Sequence, residues 1–543
     1  MSAETISFSF VESARGIPRT YSAFRLANKA LSTCKAYQHA EEDLEKKVAI
    51  VETVWVKLET QLKFLRRIAN QGHLKDELAQ CHFTLLQKLN GTLLQAVSQL
   101  EMAARSIESN PRAPKFFKIG KWRYAVIKKT LDTLMVELEA WQGRFDPSWY
   151  LIILMSGSVL DRVLVESHEK QTTASSAAVG PLDNMRALRR AIDAEHSIAM
   201  RNPDRLDLDV GQLFHETNIM PYTTAKVMVR PGSSERLITE PVDLSTVVNS
   251  QSISDIERLV RRLQHIDPDT FGILQCEGIL RKTDAQSGRL TALHVVYRAP
   301  FTTQPPRTLR QLLLSQTDVS LSAIINLPKQ LVRSVSYIHA CDFVHKNIRP
   351  RNILLFPSSD CPIGSAYLLG LTQFRSLAHH TNLLGDPAWH RNLYRHPARQ
   401  GLRILDSYVM QHDIYSLGVC LLEIGLWRSL VWYPTMENAS LAVPVPGLAL
   451  ASLRNVLTDK VFERAHVGNR TGWIKEDLVG MAKKLLPARM GDMYTRIVEN
   501  CLTCLDEGNE DFGAFTEEEG VDGVALGVRY IEKILSGVTD INL

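Results

Sequence analysis

Apolar residues recur at steps of three and four positions through the first 170 residues, with polar and charged residues between them. This spacing places each set on one side of an α-helix, and each such side needs an apolar partner. An antiparallel helical bundle satisfies several helices together, and breaks at Gly72, Asn110-Pro111 and Asp146-Pro147 argue against an extended coiled coil. The clearest sets are Val48, Val51, Trp55, Leu58, Leu62 and Leu65; Leu74, Leu78, Cys81, Leu85, Leu93, Ala96, Leu100 and Ala103; and Tyr124, Ile127, Leu131, Leu134, Leu138 and Trp141.

The pattern changes in the second part of the chain. Residues 168–181 have the composition of a linker, and the segment after them has apolar positions that predict a short brace helix. From about residue 205, short β-prone runs predict strands, and longer periodic runs such as 321–340 predict helices. We therefore predict a helical bundle at 1–170, a linker and brace helix at 171–204, and a mixed α+β domain at 205–543.

Composition places the chain among ordinary globular proteins, with 45% hydrophobic and 22% charged residues in 543. A net charge of +4 is too small for this length to indicate nucleic-acid binding. The cysteines are scattered, as is typical of reduced thiols, and the lone pair Cys501 and Cys504 fits packing on a late helix better than a metal site. No secretory signal is visible, and the apolar run 149–160 is too short to span a bilayer, so we expect a cytoplasmic protein.

Residues 109–131 are strongly basic, with seven Lys or Arg, no acid, and aromatic residues among them. An anionic membrane surface attracts such a stretch by about 1 kcal/mol for each basic residue near the lipid. A solvated helix face beside core aromatics explains the same pattern, so both interpretations stay open, whereas no recognised motif supports nucleic acid. The candidate membrane patch consists of Lys115, Phe116, Phe117, Lys118, Lys121, Trp122, Arg123, Lys128 and Lys129.

Residues 339–355 carry the most informative motif. His345 and Asn352 stand seven positions apart, and the apolar run Ile353 to Leu355 follows. The segment resembles the catalytic loop of protein kinases, H-R-D-L-K-P-x-N, with Asn347 at the position of the catalytic aspartate. In kinases that carboxylate accepts the proton of the substrate hydroxyl, whereas an amide has no basic site at physiological pH.

Other segments follow in the order of a protein kinase. Residues 255–264 correspond to the helix whose glutamate pairs with the β3 lysine, with Glu257 as the available acid, and residues 413–425 to the buried helix of the large lobe. Residues 394–398 resemble the end of the activation segment, with Ala398 in place of its glutamate. The resemblance implies a bilobal, α+β kinase-like domain after the all-α bundle, with a small lobe at about 205–300 and a large lobe at about 301–543. Whether 506–543 is a terminal helix of that lobe or a tail stays open.

Several groups that a kinase uses for chemistry are missing. The small lobe has only isolated glycines, Gly211 and Gly232, where a glycine-rich loop should cover the phosphates. Glu240 stands at the position of the β3 lysine, with Lys226 as the alternative if the strands are shifted. Gly370 stands at the position of the metal-binding aspartate.

The remaining kinase-like residues are then structural. We interpret His345, Asn352 and Asp413 as residues that hold the large lobe together. We expect no metal and no cofactor, with ATP bound at most without its normal Mg²⁺ coordination.

The N-terminal region resembles a second family. Residues 115–130, followed by 141–149 with tryptophans at both ends, are similar to the HeLo-type (prion-inhibition and propagation) helical domains of fungal cell-death proteins. Those domains are related in architecture to the bundle that precedes the pseudokinase in mixed-lineage-kinase-like executioners of necroptosis. The chain departs from these domains at its start. They usually begin with a more apolar, membrane-seeking helix, whereas here Glu12 and Arg15 follow a short apolar run.

Together the resemblances imply a fungal pseudokinase whose kinase-like domain regulates a helical effector bundle, membrane-active in programmed cell death. They imply protein partners or self-association through the bundle, contact with an anionic membrane surface, and recruitment from the cytoplasm to that membrane on activation. Two alternatives stay open: an atypical, active ATP-dependent protein kinase, and a non-enzymatic scaffold that contacts neither lipid nor nucleotide.

Overall fold

The chain separates into two compact units, Met1–Pro181 and Leu182–Leu543. The computed structural model describes most of residues 206–541, with gaps at 209–214, 231, 233–234, 243, 245–249, 285, 288, 302–303, 316, 341–342, 359–361, 371–374, 377–383, 405–406, 435–442, 465–471 and 513–522. Before residue 206 it describes 46–47, 51, 54, 57–58, 61–62, 76–108, 128–138, 140–142 and 145–146. The domain boundaries predicted at 170 and 204 stay predictions.

Every described residue of the first unit is helical. Helix α1, Asp76–Glu108, buries Leu85, Leu89 and Leu93 at the predicted spacing. The indole Nε1 of Trp141 donates a hydrogen bond to the carbonyl oxygen of Leu85 across 2.7 Å, which ties the helical residues around 141 to α1.

A second contact joins the helical residues around 57–62 to those around 146. The Asp146 carboxylate accepts hydrogen bonds from Lys57 Nζ at 2.7 Å and from Gln61 Nε2 at 2.9 Å. These contacts relate three helical segments, but most of 1–170 lies outside the described residues, so the complete bundle stays a prediction.

A five-stranded antiparallel sheet, in the order β1-β2-β3-β5-β4, begins the described part of the second unit. Leu237, Leu280 and Val296 pack together as part of its core. The strands are β1, His215–Ile219; β2, Lys226–Val229; β3, Arg236–Pro241; β4, Cys276–Thr283; and β5, Leu290–Arg298.

Helix α2, Ser250–Leu263, packs against β4. Its residues Ile256, Leu259, Val260 and Leu263 are buried because they recur at steps of three and four and so share one helix face. The helix starts five residues before the predicted 255–264. A short helix, α3, Pro268–Phe271, leads into β4; it is capped by Asp267, whose carboxylate accepts from Thr270 N at 3.2 Å.

The remaining residues form a mostly helical region with small antiparallel sheets. Its helices are α4, Leu309–Ser315; α5, Leu321–Ala340; α6, Trp389–Asn392; α7, Met410–Leu426; α8, Asp459–Arg464; α9, Gly472–Leu485; α10, Pro487–Leu502; α11, Gly523–Tyr530; and α12, Ser536–Asp540. Its strands are β6, Arg307–Thr308; β7, Phe343–Val344; β8, Ile353–Phe356; β9, Ser365–Leu368; β10, Arg375–Ser376; β11, Leu384–Asp386; β12, Gly401–Arg403; β13, Val431–Trp432; and β14, Val445–Pro446. Single 3₁₀ segments occur at Pro350–Asn352, Pro397–Arg399 and Leu448–Leu453. The described second unit is thus mixed α+β.

Helix α7 lies at the centre of this region, and all of its residues are buried. A Cβ atom at Gly418 would lie 2.7 Å from the Cβ of Cys501 on α10, so only glycine allows the two helices to approach this closely. Cys501 lies in the last turn of α10, whereas Cys504 lies beyond the end of that helix. Burial raises the pKa of both thiols, which fits packing residues.

The C-terminal segment belongs to the same region and is not a free tail over its described residues. Helix α11 continues through a π-helical turn, Ile531–Leu535, into α12. The hydroxyl of Tyr530 donates to the carbonyl oxygen of Val332 on α5 at 2.8 Å, and Lys329 Nζ donates to the carbonyl oxygen of Ile541 at 3.0 Å. None of the helices in the described part of the chain has both the length and the apolar character needed to cross a bilayer.

Candidate functional site

The segment that resembles the kinase catalytic loop, residues 345–352, lies between β7 and β8. The Asp413 carboxylate on α7 holds its start, because it accepts hydrogen bonds from the backbone nitrogens of His345 at 2.6 Å and Lys346 at 2.9 Å. The hydroxyl of Tyr408 donates to the same carboxylate at 2.8 Å, and His339 Nε2 lies 3.2 Å from it. Lys346 has a positive φ of 63°, so this anchored turn has an uncommon backbone conformation.

Burial and hydrogen bonding shift the pKa of the Asp413 carboxyl in opposite directions. Burial would raise the pKa of the Asp413 carboxyl, but the hydrogen bonds and charges around it, first from His339, lower the pKa below its usual value. Burial lowers the pKa of His345 to about 4, so this imidazole is neutral near pH 7. Asp413 therefore acts as a buried, charged acceptor for the loop.

Three of the predicted positions meet directly. Asn352 Nδ2 donates to the carbonyl oxygen of Asn347 at 2.7 Å, and Asn347 Nδ2 lies 3.4 Å from the carbonyl oxygen of Gly370. Gly370 has a φ of +91°, and a Cβ built on it would lie 2.6 Å from Asn352 Nδ2 and 3.0 Å from Asn347 Nδ2. A side chain at position 370 would therefore displace these amides, so an aspartate does not fit here without rearrangement.

Glu240 also contacts Gly370, from the side of the five-stranded sheet. It is 5% exposed on β3, and its Oε2 accepts hydrogen bonds from the backbone nitrogen of Gly370 and from the hydroxyl of Tyr297, both at 3.3 Å. Burial, followed by the charge of Glu240, raises the pKa of Tyr297 well above its usual value. Glu240 thus links the five-stranded sheet to Gly370, two residues after the end of β9.

Lys226 and Glu257, the other two candidates in and beside the five-stranded sheet, do not contact Gly370. Lys226 pairs with Thr239 in the β2–β3 register, which places it on the opposite face of the sheet from Glu240. The Glu257 carboxylate accepts from Arg281 Nη2 on β4 at 2.6 Å, and Arg281 Nε donates to Asp207 at 2.6 Å. Glu257 of α2 therefore forms its ion pair with β4, whereas the corresponding helix of an active kinase pairs with β3.

The turn between β1 and β2 contains no glycine, and it contacts residues of the mostly helical region that follows the sheet. Tyr222 has a φ of +64° and is 8% exposed, and its ring centroid lies 4.8 Å from that of Tyr433. The hydroxyl of Thr308 also donates to the carbonyl oxygen of Pro221 at 3.4 Å. Tyr222 was missed in the sequence, although the absence of glycine between the strands was visible there.

Of the other predicted positions, Ala398 lies exposed in the 3₁₀ segment Pro397–Arg399. A fully buried ion pair of the mostly helical region is made by Arg310 and Glu423, with Arg310 Nη1 2.9 Å from Glu423 Oε1. In the candidate membrane patch, Lys128 is half-buried and Lys129 is exposed on helical residues, and the other seven members lie outside the described residues. Gly211 also lies outside them, and Gly232 lies in the β2–β3 turn.

No protein-family model matches the chain. It is 28% identical over 132 residues to a putative serine/threonine-protein kinase of Mycoplasma pneumoniae, which covers 22% of this chain and 34% of that protein. It is 25% identical over 119 residues to a probable serine/threonine-protein kinase of Dictyostelium discoideum, covering 22% of this chain and 7% of that protein. It is 31% identical over 126 residues to a probable cell division protein kinase of Encephalitozoon cuniculi, covering 23% and 36%.

The chain thus spans about a third or less of the length of these relatives. All three relatives are named as protein kinases, which agrees with the motif at residues 345–352, so the chain contains a kinase-like region. The HeLo resemblance and the fungal origin stay predictions.

Proposed function

We propose that this protein is a pseudokinase, a signalling protein with a kinase-like fold that does not transfer phosphate, and that this fold regulates the N-terminal helical region. The observation that carries the proposal is the position of Glu240, a buried acid where an active kinase has a lysine, bonded to the backbone of Gly370. The three relatives support the fold alone.

Phosphoryl transfer depends on positive charges that neutralise the phosphates and on carboxylates that hold Mg²⁺ and orient the nucleophile. A carboxylate at position 240 repels a nucleotide phosphate, and the Asn347 amide is not a base. A single transition-state charge of the arginine-finger type is worth about 10³ or more in rate. The loss of several such groups together removes the basis for catalysis.

The donor set does not fit Mg²⁺ in its usual place. A hard divalent cation needs carboxylate oxygens, and position 370 offers none and accommodates no side chain without displacing the Asn352 amide. The side-chain nitrogen of Asn352 is engaged with the Asn347 carbonyl oxygen, as in a residue that braces the loop.

The contacts around the cleft support a switch between two lobe arrangements. The Glu240–Gly370 hydrogen bond and the Tyr222–Tyr433 ring contact both connect the small lobe to the large one. A partner that breaks either contact would change the relation of the lobes without any chemistry at the cleft.

Thermal unfolding of the full-length protein with ATP, in the presence and absence of Mg²⁺, tests the proposal. We expect no Mg²⁺-dependent rise in Tm, because no carboxylate at position 370 holds the ion. The second candidate, an atypical active kinase, is favoured by one observation, the retention of Asn352 at a metal-ligand position. A Mg²⁺-dependent rise that disappears in Asn352→Ala would support that candidate.

The proposed output of the switch is the N-terminal region acting at an anionic membrane in cell death. The support for this step is the basic and aromatic sequence 115–129 and the HeLo resemblance. Its test is dye leakage from anionic liposomes by the full-length protein, compared with a variant in which Lys115, Lys118, Lys121 and Arg123 are changed to Gln. Leakage that depends on salt and on these four residues supports a membrane effector, and equal behaviour of both proteins supports a scaffold.

A further inference from the structure

A short segment is added to the five-stranded sheet at its β4 edge. Within the sheet β4 pairs with β5 on one side, so the N–H and C=O groups on its other side are open to another strand. The Ile279 nitrogen donates to the carbonyl oxygen of Leu206 at 2.7 Å, and the Leu208 nitrogen donates to the carbonyl oxygen of Ile279 at 2.8 Å. The segment lies parallel to β4. We call residues 206–208 the linker strand, because they follow the predicted linker and brace segment 171–204.

The side chains of the linker strand alternate between the two faces of the sheet, as in any strand. On one face, Leu208 packs against the sheet core around Leu237, and Leu206 is 3% exposed. On the other face, the Asp207 carboxylate accepts a hydrogen bond from Arg281 Nε of β4 at 2.6 Å. The linker strand is therefore attached to the sheet by its backbone and by its side chains.

Gly278 of β4 makes room for this attachment. A Cβ atom at position 278 would lie 2.5 Å from the carbonyl oxygen of Leu206 and 2.9 Å from the Cγ atom of Leu208. A register shift lies beside Gly278 in the pairing with β5, but its φ is not positive, so the backbone does not require glycine there. Glycine inside a strand is less stable than alanine unless a neighbour approaches closely. The sequence of β4 is therefore suited to receive the linker strand.

Arg281 also joins the linker strand to α2. Its Nε atom donates to Asp207, and its Nη2 atom donates to Glu257 of α2 at 2.6 Å. One guanidinium group therefore binds one carboxylate from each segment. Because the two carboxylates share this group, docking of the linker strand contributes to the position of Arg281 and so to the position of α2.

The attachment is small compared with the sheet. Within the described part of the chain, the linker strand makes two backbone hydrogen bonds and one ion pair to β4, and the Asp207 side chain is half-exposed. β4 pairs with β5 over its whole length, from Cys276 to Thr283, without using the linker strand. Segments with few buried contacts open at a lower free energy than the whole domain. Such an attachment can open while the five strands stay paired.

We propose that the linker strand is a latch. Docked on β4, it holds the end of the linker and brace segment at the edge of the sheet, and it holds α2 through Arg281. Released, it frees that segment and α2 together while the sheet stays folded. The release does not depend on the proposed function. Its meaning, as the step by which the kinase-like fold regulates the N-terminal region, rests on that function.

Cleavage by trypsin after Arg205 reports release of the linker strand in the full-length protein. Arg205 directly precedes the linker strand, and a protease has to bind residues on both sides of the bond that it cleaves. Docked Leu206 therefore protects this bond, and cleavage follows the population of released molecules. Mass spectrometry measures the rate from fragments that begin at Leu206.

Gly278→Ala should raise this rate about tenfold, because the added Cβ displaces the linker strand. Gly480→Ala is the control and should keep the wild-type rate, because nothing lies within 4 Å of its added Cβ. A Gly278→Ala variant that is cleaved no faster than this control overturns the proposal.

A second variant leaves the backbone of β4 unchanged. Arg281→Gln removes the ion pair with Asp207, and because that pair is partly exposed, cleavage after Arg205 should become about two- to fivefold faster. Arg289→Gln, an exposed arginine in the turn between β4 and β5, is the matched control and should have no effect. Equal rates in these two variants count against the latch even if Gly278→Ala does not fold.

The dependence of cleavage on urea separates a latch from an integral strand. Release of three residues exposes little surface, so the wild-type rate should change little with urea below the unfolding transition. Cleavage that rises only in proportion to global unfolding would mean that residues 206–208 leave with the whole sheet, and the proposal would be wrong.

Hydrogen exchange tests the connection to α2. In Gly278→Ala, the amides of α2 around Glu257 should exchange faster than in the wild type, whereas the amides of β5 should stay protected because β4 and β5 remain paired. Unchanged exchange in α2, or an equal loss of protection in β5, overturns the proposal. None of these measurements requires phosphate transfer, so activity as a kinase would refute the proposed function without affecting the latch.

Discussion

The Glu240 carboxylate accepts a hydrogen bond from the backbone nitrogen of Gly370 across 3.3 Å. In an active kinase these two positions carry a lysine and an aspartate, which hold the phosphates and their metal ion. Here the acid stands at the lysine position, and it accepts a hydrogen bond from the backbone of Gly370 instead of holding a ligand. In the proposed pseudokinase, the pair replaces a nucleotide-binding arrangement by a direct contact between β3 and the segment after β9, and each half of it can be changed separately.

Removing the acid should destabilise the protein. Glu240→Ala leaves the Gly370 nitrogen and the Tyr297 hydroxyl without their buried acceptor, so we expect a loss of about 1 to 3 kcal/mol in the free energy of unfolding. Glu235→Ala is the matched control, because its ion pair with Arg230 is at the surface and is worth about 0 to 1 kcal/mol. Urea unfolding measures both, and equal effects would contradict the structural role of Glu240.

Adding a Cβ at position 370 should be costly. Gly370→Ala combines a positive φ with a contact 2.6 Å from Asn352 Nδ2, and we expect a loss of about 2 to 4 kcal/mol. Gly480→Ala on α9 is the control, because nothing lies within 4 Å of its added Cβ. There the substitution should stabilise the helix by about 0.5 to 1 kcal/mol. A neutral Gly370→Ala, measured by the same unfolding assay, would mean that this position has room for the missing aspartate.

Two substitutions of Tyr222 separate its backbone from its ring. Both Tyr222→Gly and Tyr222→Ala lose the contact with Tyr433, but only alanine keeps a Cβ at a φ of +64°. We expect the glycine variant to be more stable than the alanine variant by about 1 kcal/mol, the reverse of the order in a helix or strand. Thermal unfolding of the pair checks this, and a more stable alanine variant would count against the left-handed turn.

Stability should fall as the pH is lowered from 6.5 towards 4. Burial lowers the pKa of His345 to about 4, and it lowers the pKa of His396 to about 4 and of His412 to about 3. The unfolded chain therefore binds protons on these imidazoles in a range where the folded chain does not, which favours unfolding. The Asp413 pKa is lowered too, so its contribution is present above about pH 4 and is lost only below that.

His345→Gln isolates one imidazole from this dependence. The slope of unfolding free energy against pH between 6.5 and 4 should decrease by up to one proton in this variant. Urea midpoints at pH 7.5, 6.0 and 5.0 are sufficient to compare it with the wild type. An unchanged slope would mean that the pKa of His345 is the same in the folded and the unfolded protein.

The sequence predicted the parts of the site that depend on local spacing. The kinase resemblance singled out Asn347, Asn352 and Gly370, and these residues lie within hydrogen-bonding reach of one another because the loop is short and β8 pairs with β9. The apolar pattern predicted α5, and the kinase resemblance predicted the buried helix α7. Glu257 was different: charge alone could not show that Arg281 of β4 would pair with it, because that contact depends on how α2 packs.

Contacts between distant segments were not predictable in this way. Nothing in the residues around Tyr222 indicates that its ring meets Tyr433, and the position of Lys226 depended on a strand register that only pairing determines.

Transfer of γ-phosphate from radiolabelled ATP is the most direct test of the central claim. Full-length protein at high concentration with Mg²⁺, alone and with a generic protein substrate, should incorporate no label above a heat-denatured control. Asn347→Asp should behave in the same way, because Glu240 and Gly370 still lack the required charges. Incorporation by the wild type that disappears in Asn347→Ala or Asn352→Ala would contradict the account of an inactive kinase fold.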